Sequence, residues 1–390
     1  MKYKILAVHN KYLIPGGEDT SFKIEVELLR SNGHEVVEYL EDNSKVHELG
    51  MFRTAFKTIW SFETYRKIQG LCKKHCIDVV CTQNFFPLIS PSIYYAASSL
   101  KIPIVQYIRN YRLTCVNGLL YRNGKSCNRC VGKTLPYYGV LFGCYRNSRL
   151  ASIVVASMIG FHRIIGTWTK KVTAYIALTE FAKQKLISSR IPKNKIFVKP
   201  NFIGESPRLS LAPSKTALYV GRISSEKGIQ CMINAWNKVD TEYQLRIIGD
   251  GPLLEHFKKS TSNKTIHFEG RKPSDEITEI MKSCAFLIFP SECYEGMPRT
   301  IIEAFSVRLP VISSNIGAMS TMITDFKNGL HFEVGNVEDL SNKIREIIHD
   351  DALRNKIGEN GHKDFRKKYT EHENYKMLYS ILSSVIQSSK

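Results

Sequence analysis

Residues 284–305 read CAFLIFPSECYEGMPRTIIEAF and predict a buried strand, a turn and a helix, in that order. The run CAFLIFP has the length and apolar character of a strand in a parallel sheet, and IIEAF belongs to a helix. Pro298 suits the first helical turn, so Glu295 falls in the loop before the helix and Glu303 falls inside it. Two carboxylates eight residues apart at an otherwise apolar junction suggest a polar ligand.

The same alternation of strand and helix runs along the chain, whose 390 residues are too many for one ordinary core. Residues 201–215 are rich in Pro, Ser and Gly and predict a linker, after which the alternation starts again. The predicted fold is therefore α/β, with two Rossmann-like, doubly wound domains over 1–200 and 216–370 that face each other across a cleft. A helix over 371–390 is expected outside the second sheet or crossing back to the first domain.

Positive charge is concentrated in the first half of the chain. The net charge is +19, and residues 101–200 hold 18 Lys and Arg but a single acid, Glu180. Residues 201–390 are nearly neutral, with 25 basic and 24 acidic side chains. A solvated surface normally mixes the two signs, so the one-sided block indicates an anionic partner. Nucleic acid, anionic lipid headgroups and a phosphorylated substrate all remain candidates.

Neither a membrane span nor a signal peptide is predicted. The longest nearly uncharged run, residues 150–161, is shorter than the ~20 residues that a span needs, and the N-terminal apolar run is too short for a signal peptide. We therefore expect a cytosolic protein, whose ten cysteines would be mostly reduced. Four of them leave two alternatives open, a structural zinc site or buried thiols, with thiols favoured: Cys115, Cys127, Cys130 and Cys144.

The predicted strands of the second half end in glycines and basic side chains. In an open parallel sheet, ligands lie beyond the carboxyl ends of the strands, so these residues are candidate ligand contacts: Gly221, Arg222, Lys227, Gly249, Gly251, Arg271 and Gly296. Arg222 and Lys227 supply positive charge near a helix start, which is what a diphosphate needs. The carboxylates of Glu295 and Glu303 would repel a diphosphate, so we expect them to accept hydrogen bonds from sugar hydroxyls.

These segments also carry a family resemblance. YVGRISSEKGI (219–229), IIGDGP (247–252), IHFEGRKPSDEI (266–277) and residues 290–318 resemble the C-terminal half of family 4 (group 1) glycosyltransferases of the GT-B fold. The segments HNKYLIPGGEDTSFKIEVELLRSNGHEV and RNYRLTCVNGLLYRNGKSCNRC are similar to bacterial members that build surface polysaccharides such as O-antigen, capsule and exopolysaccharide. The resemblance covers most of residues 1–345, and its C-terminal motifs are the more specific ones.

The resemblance implies a hexosyltransferase that uses a UDP- or GDP-sugar and retains the anomeric configuration. Glu303 would bind the ribose, and Glu295 a donor-sugar hydroxyl or a phosphate. Arg222 and Lys227 would hold the leaving diphosphate, so that no metal cofactor is needed. Further donor contacts would come from glycine backbones and neighbouring side chains: Gly16, Gly17, Gly221, Gly249, Gly251, Arg271, Gly296 and Met297.

The first domain would bind the acceptor, a glycan linked to polyprenyl diphosphate at the cytoplasmic face of the inner membrane. Candidate acceptor contacts are His9, Asn84, Arg109 and Asn110, and Arg109 stands where relatives commonly carry His. Residues 51–68 and 137–168 mix aromatic, apolar and basic side chains, as a peripheral membrane segment does, although an ordinary core-facing helix fits 51–68 equally well. A transferase for a soluble acceptor and a protein that binds nucleic acid or another polyanion remain alternatives.

Overall fold

The computed structural model describes residues 1–13, 16–204 and 214–389, which form two compact units. The first unit holds residues 1–120, 128–199 and those from Tyr375 onward, and the second holds 121–127 and 200–374. The expected linker, residues 201–215, lies mostly outside the described residues, as does Pro15. Two doubly wound parallel sheets, as predicted from the sequence, are confirmed.

The first unit is built on a parallel sheet of six strands in the order β2-β1-β3-β4-β7-β8. Its strands are β1 (Lys4–Lys11), β2 (Glu35–Asp42), β3 (Val79–Asn84), β4 (Ile104–Ile108), β7 (Ala174–Ala177) and β8 (Ile196–Val198). Its helices are α1 (Gly17–Ser31), α2 (Lys45–Ile59), α3 (Phe62–His75), α4 (Ser92–Ser99), α5 (Tyr137–Leu141), α6 (Arg149–Ile164) and α7 (Glu180–Ser188). The strands are apolar runs, and Ile5, Val79, Ile104 and Ile176 are completely buried between the helical layers.

Residues 51–68 form parts of two helices, not one. Gly50 adopts a left-handed φ of 73° and breaks α2 internally, and α2 then ends at Ile59. The backbone of Ser61 is extended, and its hydroxyl accepts a hydrogen bond from the Thr64 amide, which starts α3. A single helix over this stretch, which both the interfacial and the core-facing alternatives assumed, is therefore wrong.

The second unit has its own parallel sheet of six strands in the order β11-β10-β9-β12-β13-β14. These are β9 (Thr216–Val220), β10 (Gln244–Ile248), β11 (Ile266–Gly270), β12 (Phe286–Phe289), β13 (Val311–Ser314) and β14 (Leu330–Phe332). Its helices are α8 (Ile229–Trp236), α9 (Leu254–Ser260), α10 (Ser274–Ser283), α11 (Arg299–Ser306), α12 (Met319–Met322), α13 (Val337–His349) and α14 (Asp351–Lys368). Trp236 and Phe286 are fully buried in its core.

Two segments belong to a different unit from the residues that precede them in the chain. The short antiparallel hairpin of β5 (Tyr121–Arg122) and β6 (Lys125–Ser126) belongs to the second unit. Helix α15 (Glu371–Gln387) has its residues from Tyr375 onward in the first unit. There the Tyr375 hydroxyl lies 3.0 Å from Nε2 of His34, and Tyr379 stacks on Tyr3.

Candidate functional site

The order of strands reverses at one point in each sheet. In the second unit the chain runs outward from β9 to β10 and β11, then returns to the other side of β9 as β12. The first sheet does the same around β1, with β2 on one side and β3 on the other. A crevice opens beyond the carboxyl ends of the strands at such a switch point, which is where open α/β sheets bind ligands.

Three loops meet beyond the switch point of the second sheet. The amide of Ile223 donates to the carbonyl of Asp250 at 2.9 Å, and the amide of Glu292 donates to the carbonyl of Glu226 at 2.9 Å. The loops after β9, β10 and β12 are therefore tied together by backbone hydrogen bonds. Arg222 and Lys227 of the first loop and Glu295 of the third consequently share one sheet edge.

The glycines of these loops have a packing role. A Cβ on Gly249, which has a φ of +151°, would lie 1.8 Å from the carbonyl oxygen of Gly221. A Cβ on Gly251 would lie 2.3 Å from the carbonyl oxygen of Ile223, and one on Gly228 would lie 2.0 Å from that of Pro290. Glycine is thus required for one loop to approach another, independently of any ligand.

Glu295 is the acceptor at the centre of a polar cluster. Lys227 Nζ donates to its Oε1 at 2.6 Å, and the Ser291 hydroxyl donates to the same oxygen at 2.6 Å. Burial raises the pKa of Glu295, but the Lys227 charge and the hydrogen bonds from Lys227, Ser291 and Cys293 outweigh burial and hold that pKa below its ordinary value. Glu295 is therefore ionised at neutral pH.

The pair is mutual. Burial lowers the pKa of Lys227, but the Glu295 charge outweighs that effect and the pKa lies above its ordinary value. Sequence reasoning missed Ser291 and Cys293 as partners of this carboxylate. The spacing 291, 293, 295 was a weak signal, because alternate residues share a side only where the backbone is extended.

Glu303 lies within α11 and has a different environment. Burial raises its pKa, and the Arg299 guanidinium, 3.9 Å away and one turn earlier, offsets only part of that effect. The side chain is partly buried, with 21% of it exposed. The two carboxylates therefore differ, since Glu295 is held ionised by a cation while Glu303 accepts a proton more readily.

The other predicted donor contacts occupy the same edge of the second sheet. Arg222 follows β9 and is exposed, and Arg271 follows β11 and is exposed. Gly296 lies between Glu295 and Met297 in the loop before α11, and the buried Met297 accepts a hydrogen bond at its sulfur from the amide of Asn201, 3.2 Å away. Donor binding by these residues stays a prediction.

The hairpin residue Tyr121 adds a group that sequence reasoning missed. Burial, together with the charges of Glu292 and Glu226, raises the pKa of its phenol to about 12. Glu292 follows β12 and is partly buried, and burial raises its pKa as well. Only the fold could reveal this neighbour, because Tyr121 is far from both glutamates in the chain.

In the first unit, three predicted residues meet around the start of α1. His9, at the end of β1, has Nε2 3.0 Å from Oδ1 of Asp19, and the amide of Gly16 donates to Oδ2 of Asp19 at 2.9 Å. Burial lowers the pKa of His9 more than Asp19 raises it, so the imidazole is neutral at neutral pH. Gly16 and Gly17 are exposed, and a Cβ on either would meet no described atom within 4 Å.

Asn110 reaches the same turn through Glu18. Its Nδ2 donates to Oε1 of Glu18 at 3.0 Å, and the Tyr12 hydroxyl donates to Oε2 at 2.9 Å. A cavity of about 450 Å³ opens beside this network and is lined by His9, Lys11, Tyr12, Asp19 and Phe22, among others. Glu18 and Asp19 were missed, although acids after Gly-Gly at a helix start are a recognisable capping signal.

Arg109 and Asn84 serve the architecture of the first unit. Arg109 is buried, where its Nη2 lies 3.0 Å from Glu25 Oε2 and its Nε donates to Gln83 at 2.6 Å. The same Glu25 carboxylate lies 2.9 Å from the buried ammonium of Lys199. Asn84 joins β3 to β1 by donating to the carbonyl of Asn10 at 2.7 Å. The predicted contacts of Arg109 and Asn84 with an acceptor stay predictions.

Comparison with known proteins places the second unit in a family. Residues 207–364 match the family described as glycosyl transferases group 1. This region is a group 1 glycosyltransferase domain. The matched residues include Arg222, Lys227, Glu295 and Glu303.

The group 1 domain has curated relatives in bacteria and archaea. The chain is 32% identical over 198 residues to an uncharacterized glycosyltransferase of Methanocaldococcus jannaschii, covering 50% of this chain and 55% of that protein. It is 27% identical over 245 residues to CapM, the capsular polysaccharide biosynthesis glycosyltransferase of Staphylococcus aureus, covering 56% and 63%. The alignments thus span between about half and two thirds of these relatives.

A solved structure extends the likeness to both units. HepE from Anabaena, solved in complex with UDP, aligns with a TM-score of 0.68 over 98% of this chain and 100% of HepE, at 15% identity. At that identity the likeness shows the fold alone. The predicted GT-B fold of two Rossmann-like domains is confirmed.

The four cysteines considered for zinc do not form a ligand cluster. Among the described residues, no group of three or more His, Cys, Asp or Glu side chains could hold a metal ion. Cys115 Sγ lies 2.9 Å from Oδ1 of Asn117, and Cys130 Sγ lies 3.8 Å from the Pro136 carbonyl oxygen. Cys127 and Cys144 are partly buried, and the thiol alternative stays a prediction.

None of the helices in residues 1–13, 16–204 and 214–389 is both long and apolar enough to cross a membrane.

Proposed function

We propose that this chain is a retaining hexosyltransferase of family 4 that moves a sugar from a UDP- or GDP-sugar to a glycan on polyprenyl diphosphate. The observation that carries the proposal is the Lys227–Glu295 pair, 2.6 Å long, at the switch point of a group 1 glycosyltransferase domain. The names of the relatives support surface polysaccharide synthesis as the process, since CapM is a capsular polysaccharide biosynthesis enzyme. HepE was solved with UDP, which supports a nucleotide sugar as the donor.

The proposed roles follow from charge and exposure. Arg222 and Arg271 are exposed cations at the sheet edge, so each is able to meet a phosphate without first losing a buried partner. Lys227 keeps its charge beside Glu295, and its ammonium has three donors, so it can hold Glu295 and a phosphate oxygen together. Glu303 would accept hydrogen bonds from the ribose hydroxyls, and Glu295 would contact a hydroxyl of the transferred sugar.

In the proposed reaction the bond between the anomeric carbon and the diphosphate oxygen breaks, and the acceptor hydroxyl attacks from the same face. The departing diphosphate takes the acceptor proton, while Arg222 and Lys227 stabilise its developing charge. Two cations aimed at the leaving group supply the charge that a divalent metal supplies elsewhere, so we propose that transfer is metal-independent.

A nucleotide-binding experiment tests the donor site. Glu303→Gln keeps the shape of the side chain but removes its charge. We expect the affinity for UDP or GDP to fall about tenfold or more. Glu255→Gln, at an exposed position of α9 in the same unit, is the matched control and should bind as the wild type does. Thermal unfolding with UDP, GDP and their sugars measures both. Equal binding by the two variants would refute the assignment of Glu303.

The acceptor is tested by sugar transfer. We expect incorporation of label from the donor into polyprenyl-diphosphate-linked glycan, and loss of that incorporation in Glu303→Ala. Transfer to a soluble glycan only would favour the soluble-acceptor alternative. Salt-sensitive binding to any nucleic acid, without transfer, would favour the polyanion-binding alternative, which leaves Glu295 and Glu303 without a role.

A further inference from the structure

The first unit exposes an unusual set of large apolar side chains on or next to α2, the start of α3, α5 and α6. Twelve of the seventeen exposed large apolar side chains of the described chain lie between residues 51 and 62 or 135 and 165. Among the described residues of the second unit, Phe326 is the single exposed large apolar side chain. A patch of this kind on a soluble unit marks an interaction surface.

Helix α6 is apolar on both of its sides. Val155, Ile159 and His162 are buried, as the core-facing side of an ordinary helix is. The opposite side presents Leu150, Ile153, Phe161 and Ile164 to solvent, at the spacing of successive helical turns. A surface helix normally carries charged residues there, yet residues 150–162 contain no Lys, Arg, Asp or Glu.

Helix α2 extends the patch beside α6, because the two helices pack directly together. The buried imidazole of His162 places Nε2 2.9 Å from the Ile59 carbonyl oxygen, which fixes the end of α2 on α6. Phe52 is 86% exposed and Phe56 also projects into solvent, where its ring stacks on that of Phe62 at 6.4 Å. We call the exposed apolar residues of α2 and α6, together with Phe62, the α2–α6 face.

Aromatic side chains and positive charge surround the α2–α6 face. Trp60, Tyr65 and Tyr95 line a cavity of about 400 Å³ with Phe62 and Lys171. Arg149 is exposed at the start of α6, and Lys170 is exposed beyond its end. Residues 128–179, all in the first unit, contain seven basic side chains and no acid. The negative charge of the nearby Glu63 is compensated, since Lys57 and Lys67 both form ion pairs with it.

We propose that the α2–α6 face docks on a bilayer of anionic phospholipid. Apolar side chains entering the acyl region, aromatic side chains at the interface and basic side chains at the phosphates are the three elements of an interfacial anchor. A second copy of the chain is disfavoured as the occupant, because a two-fold interface would bring the same basic side chains together. The inference rests on the proposed function in one respect: a lipid-linked acceptor explains why the enzyme would meet a membrane.

Vesicle co-sedimentation of the full chain tests the proposal. Wild-type protein should bind vesicles of phosphatidylglycerol and phosphatidylethanolamine, and Phe52→Ser with Ile164→Ser should lower the partition constant about tenfold or more. Both side chains are mostly solvent-exposed, so the variant should keep its fold and its binding of UDP. Phe326→Ser in the second unit, 41% exposed, is the matched control and should bind vesicles as the wild type does.

Charge reversal separates the basic contribution from the apolar one. Arg149→Glu with Lys170→Glu should weaken binding to the phosphatidylglycerol vesicles far more than binding to phosphatidylcholine alone. Undiminished binding by the Phe52 and Ile164 variant, no binding by the wild type, or a wild-type dimer that this variant converts to a monomer would each overturn the proposal. Vesicle binding without sugar transfer would refute the proposed function and leave the docking face in place. Transfer to the polyprenyl-diphosphate-linked glycan without vesicle binding would overturn the docking face and leave the proposed function in place.

Discussion

Replacing Lys227 with methionine should destabilise the protein in a way that depends on pH. The substitution keeps most of the side-chain volume but removes the ammonium that lies 2.6 Å from Glu295. Removing one partner of a fully buried ion pair costs about 3–5 kcal/mol. Here 23% of the Lys227 side chain and 15% of the Glu295 side chain remain exposed, so water screens part of the penalty. We therefore expect a loss of about 2 kcal/mol in the free energy of unfolding at neutral pH.

The pH dependence identifies Glu295 as the cause. In the wild type, Lys227 and the hydrogen bonds hold the pKa of Glu295 below 4.5 against the opposing effect of burial. A carboxyl with a lowered pKa contributes stability above its unfolded-state pKa and loses it as the pH falls through the folded-state pKa. Without Lys227, we expect burial to dominate and the pKa of Glu295 to rise above 4.5. As the pH falls, the folded variant then takes up a proton before the unfolded variant does. The penalty should therefore shrink as the pH falls from neutral towards 4.5.

Urea unfolding followed by circular dichroism, at about pH 7 and about pH 5, measures the effect. Lys238→Met is the matched control, because Lys238 pairs with Glu338 in the same unit but both side chains are more than half exposed. Its penalty should stay below about 1 kcal/mol at both pH values. Equal penalties for the two variants, or a Lys227→Met penalty that does not change with pH, would refute the reasoning.

Gly249→Ala should destabilise by about 3 kcal/mol or more, because its Cβ would lie 1.8 Å from the Gly221 carbonyl oxygen. Gly270→Ala, whose φ is +70° but whose Cβ would meet open space, should cost only about 1 kcal/mol in the same urea titration. Glu25→Gln should lower the free energy of unfolding by about 3–5 kcal/mol, since it leaves the buried cations of Arg109 and Lys199 without their shared carboxylate. An unfolding free energy within error of the wild type would contradict this. A chelator should leave the rate of sugar transfer unchanged, and loss of transfer that Mg²⁺ restores would contradict the metal-independent mechanism.

The strands, and with them the fold, were predictable because local composition decides them. Apolar runs such as residues 284–290 must be buried on both faces, which is the condition of a strand in a parallel sheet with helices on each side. Polar residues at the ends of such strands then share one edge of the sheet. Arg222, Lys227 and Glu295 could therefore be grouped from the sequence alone. Residues 51–68 were harder, since an amphipathic pattern does not show where one helix stops and the next starts.

Partners far apart in the chain were not predictable. Lys227 and Glu295 are 68 residues apart, and both were assigned to the ligand, although the structure joins them to each other. Arg109 was predicted as an acceptor contact from the family resemblance, and its pairing with Glu25, 84 residues away, could not be seen in the sequence. A sequence pattern identifies which side chains carry charge, whereas their pairing depends on which loops the sheet brings together.

By itself, the sequence determined the two α/β domains and the edge, at the carboxyl ends of the strands, where charged residues and glycines collect, because burial and local periodicity act over a few residues. Only the tertiary structure decided the protonation of the two carboxylates. Glu295 is held ionised by Lys227, and burial raises the pKa of Glu303, which has only a more distant Arg299 to oppose it. A pKa depends on burial and on charges within a few ångströms, and the fold alone sets those distances.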